Sequence, residues 1–419
     1  MRDSLGHELT GATPAALEHY ERAMRELQCF IGDPVDSIDK AIADAPGFVM
    51  AHAYKGWLFG LATERDATRI AGDCFMAASG LGGTTRERAH VAALGHLAAG
   101  RWHAASQALE DLTIETPTDG LALIAGHQID FFTGNSRMLR DRLARALPAW
   151  SADMPGYHSV LGMHAFGLEE TGDYQRAETT GKRAVELQPR DGWAQHAVAH
   201  VMEMQSRQKD GIAWMRADTD NWTKESFFQI HNWWHLALFH YDLGEVGEVL
   251  KLFDGPIYGS RSTVALNMVD ASAILWRLHL GGVDVGERWH EVSRNWADKP
   301  AANYAFNDAH AMMAHVGAGN SGAAAALIEA LREAIEAERD NAAFTRDVGH
   351  PVTLAVKAFG DGDYRETVRL LRPIRGIAHR FGGSHAQRDI IDLTLIEAAL
   401  RAGDAPLARA LSAERLDAR

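Results

Sequence analysis

Residues 193 to 205, WAQHAVAHVMEMQ, set His196, His200 and Glu203 at steps of four and three. On a helix those steps bring all three side chains to one face. The string HNWWHLALFHYD repeats the device, with His231 and His235 four apart, Trp234 and Tyr241 near the same side and His240 elsewhere. Two such histidine pairs, with Glu203 beside the first, supply enough nitrogen and oxygen ligands for one or two divalent ions, as in sites built between packed helices. Neither pair contains the glutamate of an HExxH helix, so a metal is one of three readings. Without a metal, His231, His235 or His310 next to Asp308, Asp270 or Glu203 supplies a general acid and base, because imidazole titrates near neutral pH. The third reading is a satisfied hydrogen-bond network that locks the helices together.

Further polar residues fall where helices of this composition bury apolar ones, and burying an ionisable group without a partner is costly. The string FNDAHAMMAHV holds Asp308, His310 and His315, with Phe306, His310 and Met313 directed to the same side. VDASAILWR holds Asp270, Ser272, Trp276 and Arg277, and Asp270 and Arg277 lie two turns apart on one face, placed to pair with a neighbouring helix. Upstream, Glu169 and Glu170, then Gln128 and Asp130, are the acidic and polar candidates. The segment PIRGIAHRFGGSHAQR, residues 373 to 388, breaks the helical rhythm with a glycine pair and is expected to form a loop carrying His385 and Arg388 over the site. His, Asp, Glu and Arg among large aromatics suit a polar, aromatic-lined pocket for a small polar molecule or short peptide.

The elements that position these residues are legible from a period. Glycines at 100, 134, 172, 244, 282, 319, 362 and 403 each close one apolar helical pattern and open the next, with Arg207 in the slot between Gly172 and Gly244. The clearest copy runs from 158 to 191, where Gly172, Asp173, Tyr174, Ala177, Ala184, Leu187 and Pro189 follow an amphipathic stretch. A unit near 34 residues of helix, turn and helix is the tetratricopeptide (TPR) signature. Ala105, Ala177 and Ala324 take the place where two helices approach closely. Ahead of the array, Thr13 and Pro14 open a helix over 13 to 30. Helices over 34 to 45 and from 47 to 62 follow, and a longer helix reaches Ser79 before the break Gly80-Leu81-Gly82-Gly83.

Composition narrows the function classes. The formal charge of −14 has no basic stripe to attract a phosphate backbone, so nucleic acid is not an expected partner. Arg137, Arg140, Arg142 and Arg145 read as a solvated helix face. Cys29 and Cys74 form no metal-ligand spacing and are expected to be small core residues. No GxSxG elbow, GxGxxG turn or P-loop occurs, so no nucleotide or nicotinamide cofactor is expected. No run of ~20 apolar residues or cationic leader appears, so no membrane partner and a cytoplasmic location are expected.

The strings GMHAFGLEETGDYQRAE (162 to 178), HAVAHVMEMQ (196 to 205), HNWWHLALFHYDLG (231 to 244), VDASAILWRLHLGG (269 to 282), FNDAHAMMAHVGAG (306 to 319) and GGSHAQRDIIDLTLIEAAL (382 to 400) go beyond the generic repeat consensus. They resemble the tetratricopeptide repeat protein 38 family over most of the chain, from about residue 40 onward. The resemblance implies the repeat fold and an inner groove, and no particular reaction.

The expected architecture is all-α: a right-handed α-solenoid of about nine TPR-like repeats curled around a central cavity. Residues 1 to 85 would form irregular first repeats and 86 to 419 one continuous array. The expected site has His231, His235, His310, Asp308 and Asp270 as acid-base residues. Trp234, Tyr241, Trp276, Arg277, Phe306, Glu169, His385 and Arg388 would line it, and His196, His200 and Glu203 would join His231 and His235 if a metal is bound. Such a protein would bind, and hydrolyse or isomerise, its ligand. The alternative is a non-catalytic scaffold gripping a partner peptide in its concave face. Self-association through an apolar face over 389 to 413 is left open.

Overall fold

The repeating turn has one backbone construction. In a computed structural model that describes residues 1–418, Gly100, Gly134, Gly172, Gly244, Gly282, Gly319, Gly362 and Gly403 all take a positive φ, between 65° and 81°. The residue after each donates its N–H five residues back, as Asp173 does to the Leu168 carbonyl at 2.9 Å and Asn320 to His315 at 2.8 Å. This is the Schellman closure, which satisfies carbonyls orphaned at a helix end and favours glycine because that residue bears no Cβ penalty.

The slot between Gly172 and Gly244 corrects the expected register by one residue. Ser206, not Arg207, carries the positive φ, at 52°, and Arg207 donates to Met202 at 2.8 Å as the post-glycine residues do elsewhere. A second feature fixes the same register. Five residues past the turn lies the close-approach position, where Ala105, Ala177 and Ala324 are buried. Counting from Ser206 it is Gly211, whose missing Cβ would stand 2.3 Å from the Phe239 ring.

Twenty-four α-helices and short 3₁₀ or π turns make up the described residues, with only two isolated β-bridges besides. The first helix, Pro14–Cys29, starts with the Thr13 cap and proline as expected. The helices expected over 47 to 62 and on to Ser79 are Val49–Gly60 and Arg65–Ser79, separated at Thr63, which has a positive φ. Most helices pack on their neighbours in sequence, for example Tyr157–Glu169 on Tyr174–Leu187, and first helices also pack on the first helix of the next repeat, as Ala265–Leu280 does on Ala305–Gly317. Stacked helical hairpins of this kind are TPR-like and define an α-solenoid, whose stability is largely a sum of neighbour interfaces.

The chain divides into two compact units. The first comprises Met1–Val201 and Met215–Asn232, the second Met202–Trp214 and Trp233–Arg419. In the first unit, the expected solvated arginine face has an exception. Arg142 is 1% exposed. Its Nε donates to Asp130 Oδ2 at 2.8 Å, its Nη2 to Asp130 Oδ1 at 3.2 Å and to Ser106 Oγ at 3.0 Å. The guanidinium enters because residue 126 is glycine: a Cβ there would lie 2.6 Å from Arg142 Cζ. Arg137, on the same helix, is solvated. Cys29 and Cys74 are free and buried, and burial pushes their thiols up to about 12 and about 11, as core residues. No helix among the described residues is long and apolar enough to cross a membrane.

Candidate functional site

The helix Gly192–Met204 brings His196 and His200 to one side, four residues apart. Its start is fixed by Asp191, whose Oδ1 accepts from the Ala194 N–H at 2.9 Å. The other oxygen, Oδ2, lies 2.7 Å from His158 Nδ1. Asp119 stands at the equivalent cap: its Oδ1 accepts from Ala122 N–H and its Oδ2 lies 2.9 Å from His90 Nε2. Trp57 Nε1 donates to His90 Nδ1 at 3.2 Å. Indole N–H only donates, so the His90 proton sits on Nε2 and is given to Asp119. The aspartate-histidine pairs were not foreseen, although an aspartate just ahead of two of the first helices, Gly120–Phe132 and Gly192–Met204, is a signal the sequence contains.

His231 reaches the same place from the first turn of the helix Gln229–Asp242. Two local ties hold that turn within the first unit. The Phe227 N–H donates to the Phe30 carbonyl at 3.1 Å, and Asn232 Nδ2 donates to the Gly192 carbonyl at 3.2 Å. Nε2 of His196 then stands 2.8 Å from Nε2 of His200 and 3.2 Å from Nε2 of His231. Each of the three offers a ring nitrogen within 4.8 Å of the others, as a metal site requires. Glu169, fully buried at the end of the helix Tyr157–Glu169, places Oε2 3.7 Å from His200 Nδ1.

Aromatic rings wall this cluster. Phe166 stacks on the His196 ring with centroids 5.4 Å apart, Trp193 lies at 5.0 Å and Phe228 stands edge-on at 5.2 Å. Phe30 stacks on Trp193 with centroids 5.5 Å apart. His127, absent from the expected site, is fully buried with its ring against Phe166 and Trp193, and burial pushes its pKa down to about 3. The expected candidate on that helix was its neighbour Gln128, together with Asp130, which pairs with Arg142.

The second unit holds the remaining candidates. Glu203 is buried on the stretch Met202–Trp214. His235 is buried and meets Trp234 edge to face at 4.9 Å, and the Arg277 guanidinium covers the Trp234 ring at 5.3 Å. Arg277 Nη2 donates to the Ala386 carbonyl at 2.7 Å, and Tyr241 OH to the Arg277 carbonyl at 3.2 Å. Trp276 gives its single N–H to Thr394 Oγ1 at 3.0 Å. These donors tie helices together. Asp270 is buried on the helix Ala265–Leu280 that carries Trp276 and Arg277.

On the helix Ala305–Gly317, Asp308 Oδ1 accepts from the Ala302 N–H at 2.9 Å. His310 Nδ1 lies 2.8 Å from the Phe306 carbonyl. A carbonyl accepts only, so Nδ1 bears the proton and Nε2 a lone pair. His310 is 1% exposed, and burial, then the hydrogen bond to Phe306 and the nearby Arg277 charge, leave its pKa at about 4. The imidazole expected to titrate near neutrality is therefore neutral there. His385 and Arg388 were expected on a loop. They lie instead in the first turn of the helix His385–Arg401, started by Ser384, whose Oγ accepts from the Gln387 N–H. The irregular stretch ends earlier, in the turn Arg375–Phe381 and the positive-φ pair Gly382 and Gly383. Arg388 Nη1 folds back onto the Gly383 carbonyl.

No protein-family model matches the chain. Among solved structures it is similar to the human IFIT1 dimer with m7Gppp-AAAA, at TM-score 0.41 and 12% identity over 98% of this chain and 96% of that one. It is also similar to the crystal structure of the P58(IPK) TPR domain, at TM-score 0.22 and 14% identity over 93% and 89% of the two chains.

Proposed function

We propose that this protein is a helical-repeat metalloprotein in which His196, His200 and His231 hold one divalent transition-metal ion of the zinc class for hydrolysis of a small polar molecule or short peptide. The observation that carries the reading is the convergence of three Nε2 atoms, with His196 2.8 and 3.2 Å from the other two. An imidazole nitrogen has one in-plane position, holding either a proton or a lone pair. It makes one linear hydrogen bond, and two imidazole contacts exceed that capacity. A shared cation takes a lone pair from each ring. Nitrogens roughly 2.0–2.1 Å from a tetrahedral zinc stand about 3.3 Å apart, close to the spacing here.

Glu169 Oε2, 3.7 Å from His200 Nδ1, lies in an outer position from which a small approach would make the carboxylate-imidazole bond that fixes a ligand's tautomer and raises its basicity. The walls of Phe166, Trp193 and Phe228 lower the local dielectric. An ion with three neutral imidazole ligands and an open position polarises a substrate carbonyl and acidifies water, the chemistry of hydrolytic rather than structural zinc. Membership of the tetratricopeptide repeat protein 38 family, suggested by the motif strings, belongs to this proposal and brings no reaction with it.

Cobalt(II) titration tests the reading, because a tetrahedral nitrogen site gives intense visible absorption. The expected result is saturation at one equivalent in the wild type and loss of the band in His231→Ala with helical circular dichroism unchanged. Absorption that never develops would leave a metal-free repeat scaffold that binds a partner peptide, and a band that survives in the variant would place the ion on other ligands and overturn the assignment.

A further inference from the structure

A second site in the first unit shares no residue with the imidazole cluster. A cavity of about 540 Å³ opens between the end of the helix Pro14–Cys29 and the start of the helix Tyr157–Glu169. Gln28 lines it, is only 7% exposed, and its carboxamide has no hydrogen-bond partner among the described residues. The amide borders the cavity with no protein group to satisfy it, which leaves its N–H donors open to a ligand. Room for it is made deliberately. Gly156 has φ of 82°, and a Cβ there would stand 2.3 Å from Gln28 Nε2.

The charge around the cavity is positive. Arg25 lines it, is exposed, and has neither an ion pair nor a hydrogen bond among the described residues. Arg190 also lines it, anchored by its Nη2 to the Lys224 carbonyl at 2.8 Å and to Glu225 Oε2 at 3.1 Å. The carboxylate in the lining, Glu26, is neutralised: it accepts from Arg22 Nε at 2.8 Å and Ser37 Oγ at 2.7 Å. The helix Tyr157–Glu169 begins at Gly156 with no side-chain cap; the Tyr157 and Ser159 N–H groups donate to the Met154 and Gly156 carbonyls, and the His158 N–H and the helix dipole add to the attraction for an anion. Ile31, Met154, Pro155 and Leu187 supply an apolar wall.

We infer that this cavity binds a small organic anion, with a carboxylate or phosphate head held by Arg25, Gln28 and the helix start, and an apolar body against Met154 and Pro155. The unpartnered amide and the unpartnered guanidinium are independent features that meet on one cavity, and an oxyanion satisfies both. Its volume fits a ligand of drug-like size. The assignment does not depend on metal binding.

Isothermal titration of the full chain with benzoate and, separately, with inorganic phosphate at low salt tests it. Benzoate is expected to bind, Arg25→Gln to weaken it at least tenfold with circular dichroism unchanged, and His231→Ala to leave it unaltered. Gln28→Glu, which adds a negative charge beside the head group, is expected to abolish binding. Binding of phosphate alone supports the same site with a phosphate head. Equal binding by wild type and Arg25→Gln, or failure of both anions to bind the wild type, would overturn the inference. Binding lost in His231→Ala would place the anion on the imidazole cluster and overturn it too.

Discussion

Asp130→Ala should be among the most damaging substitutions in the first unit, and the structure supplies the scale. The change removes both carboxylate oxygens that accept from the Arg142 guanidinium, leaving it only Ser106, and removes the acceptor of Ser106 Oγ, which donates to Asp130 Oδ1 at 2.6 Å. Both side chains of the pair are fully buried, so water cannot replace what is lost. Breaking such a pair from one side costs about 3–5 kcal/mol, because a charge is left uncompensated in the interior. Arg137→Ala is the matched control on the same helix. Its Nε also meets a carboxylate, Asp141 Oδ2 at 3.1 Å, but its side chain is 83% exposed, which makes the pair worth less than about 1 kcal/mol. Repeat arrays open locally, so the assay is amide hydrogen exchange, comparing protection in the helices Trp102–Glu115, Gly120–Phe132 and Ser136–Ala146. A loss near 3 kcal/mol or more is expected for Asp130→Ala and under 1 for Arg137→Ala. Equal losses would refute the reasoning that burial, not pairing, sets the cost.

The remaining predictions concern the turns and the acid limb. Ser206→Gly should stabilise the second unit by up to about 1 kcal/mol, since an L-residue is strained at φ of 52°; destabilisation in a thermal melt would contradict the register assigned here. Gly211→Ala should cost about 1–3 kcal/mol by overpacking, because three Phe239 ring atoms lie within 2.6 Å of the added carbon; an unchanged melting temperature would count against that packing. Burial depresses His310 and His315 to about 4 and His127 to about 3. The unfolded chain, with histidines near 6.5, then binds protons that the folded chain refuses, so stability falls as pH drops from about 6.5 toward 4, by up to ~1.4 kcal/mol per pH unit for each group. A melting temperature flat between pH 7 and 5 would contradict this assignment.

The repeat was readable because glycine has a backbone reason to be where it is. Eight glycines chosen by spacing alone all adopt the left-handed turn. The ninth turn was misplaced by one residue because serine also adopts that conformation there, and no composition rule marks it. Arg142 shows the opposite failure: four arginines at helical spacing look solvated, and only the neighbouring helix, with glycine at 126 and Asp130 beyond, reveals which one turns inward. The candidate centre was partly legible. Steps of four put His196 and His200 on one face, whereas the arrival of His231 depends on the pairing of residues 225 to 228 with the end of the first helix, a contact nearly two hundred residues apart in sequence. Gln28 was invisible for the same reason, since only folding sets a positive-φ glycine against its amide.

Three imidazoles that share one ion would carry it through purification. Elemental analysis by mass spectrometry on the purified, untagged protein, beside His196→Ala, tests this without any guess about substrate. Close to one zinc, or a metal of similar preference, is expected per chain in the wild type and little in the variant. A metal-free wild type that takes up no zinc on incubation, or a variant that retains the wild-type content, would contradict it.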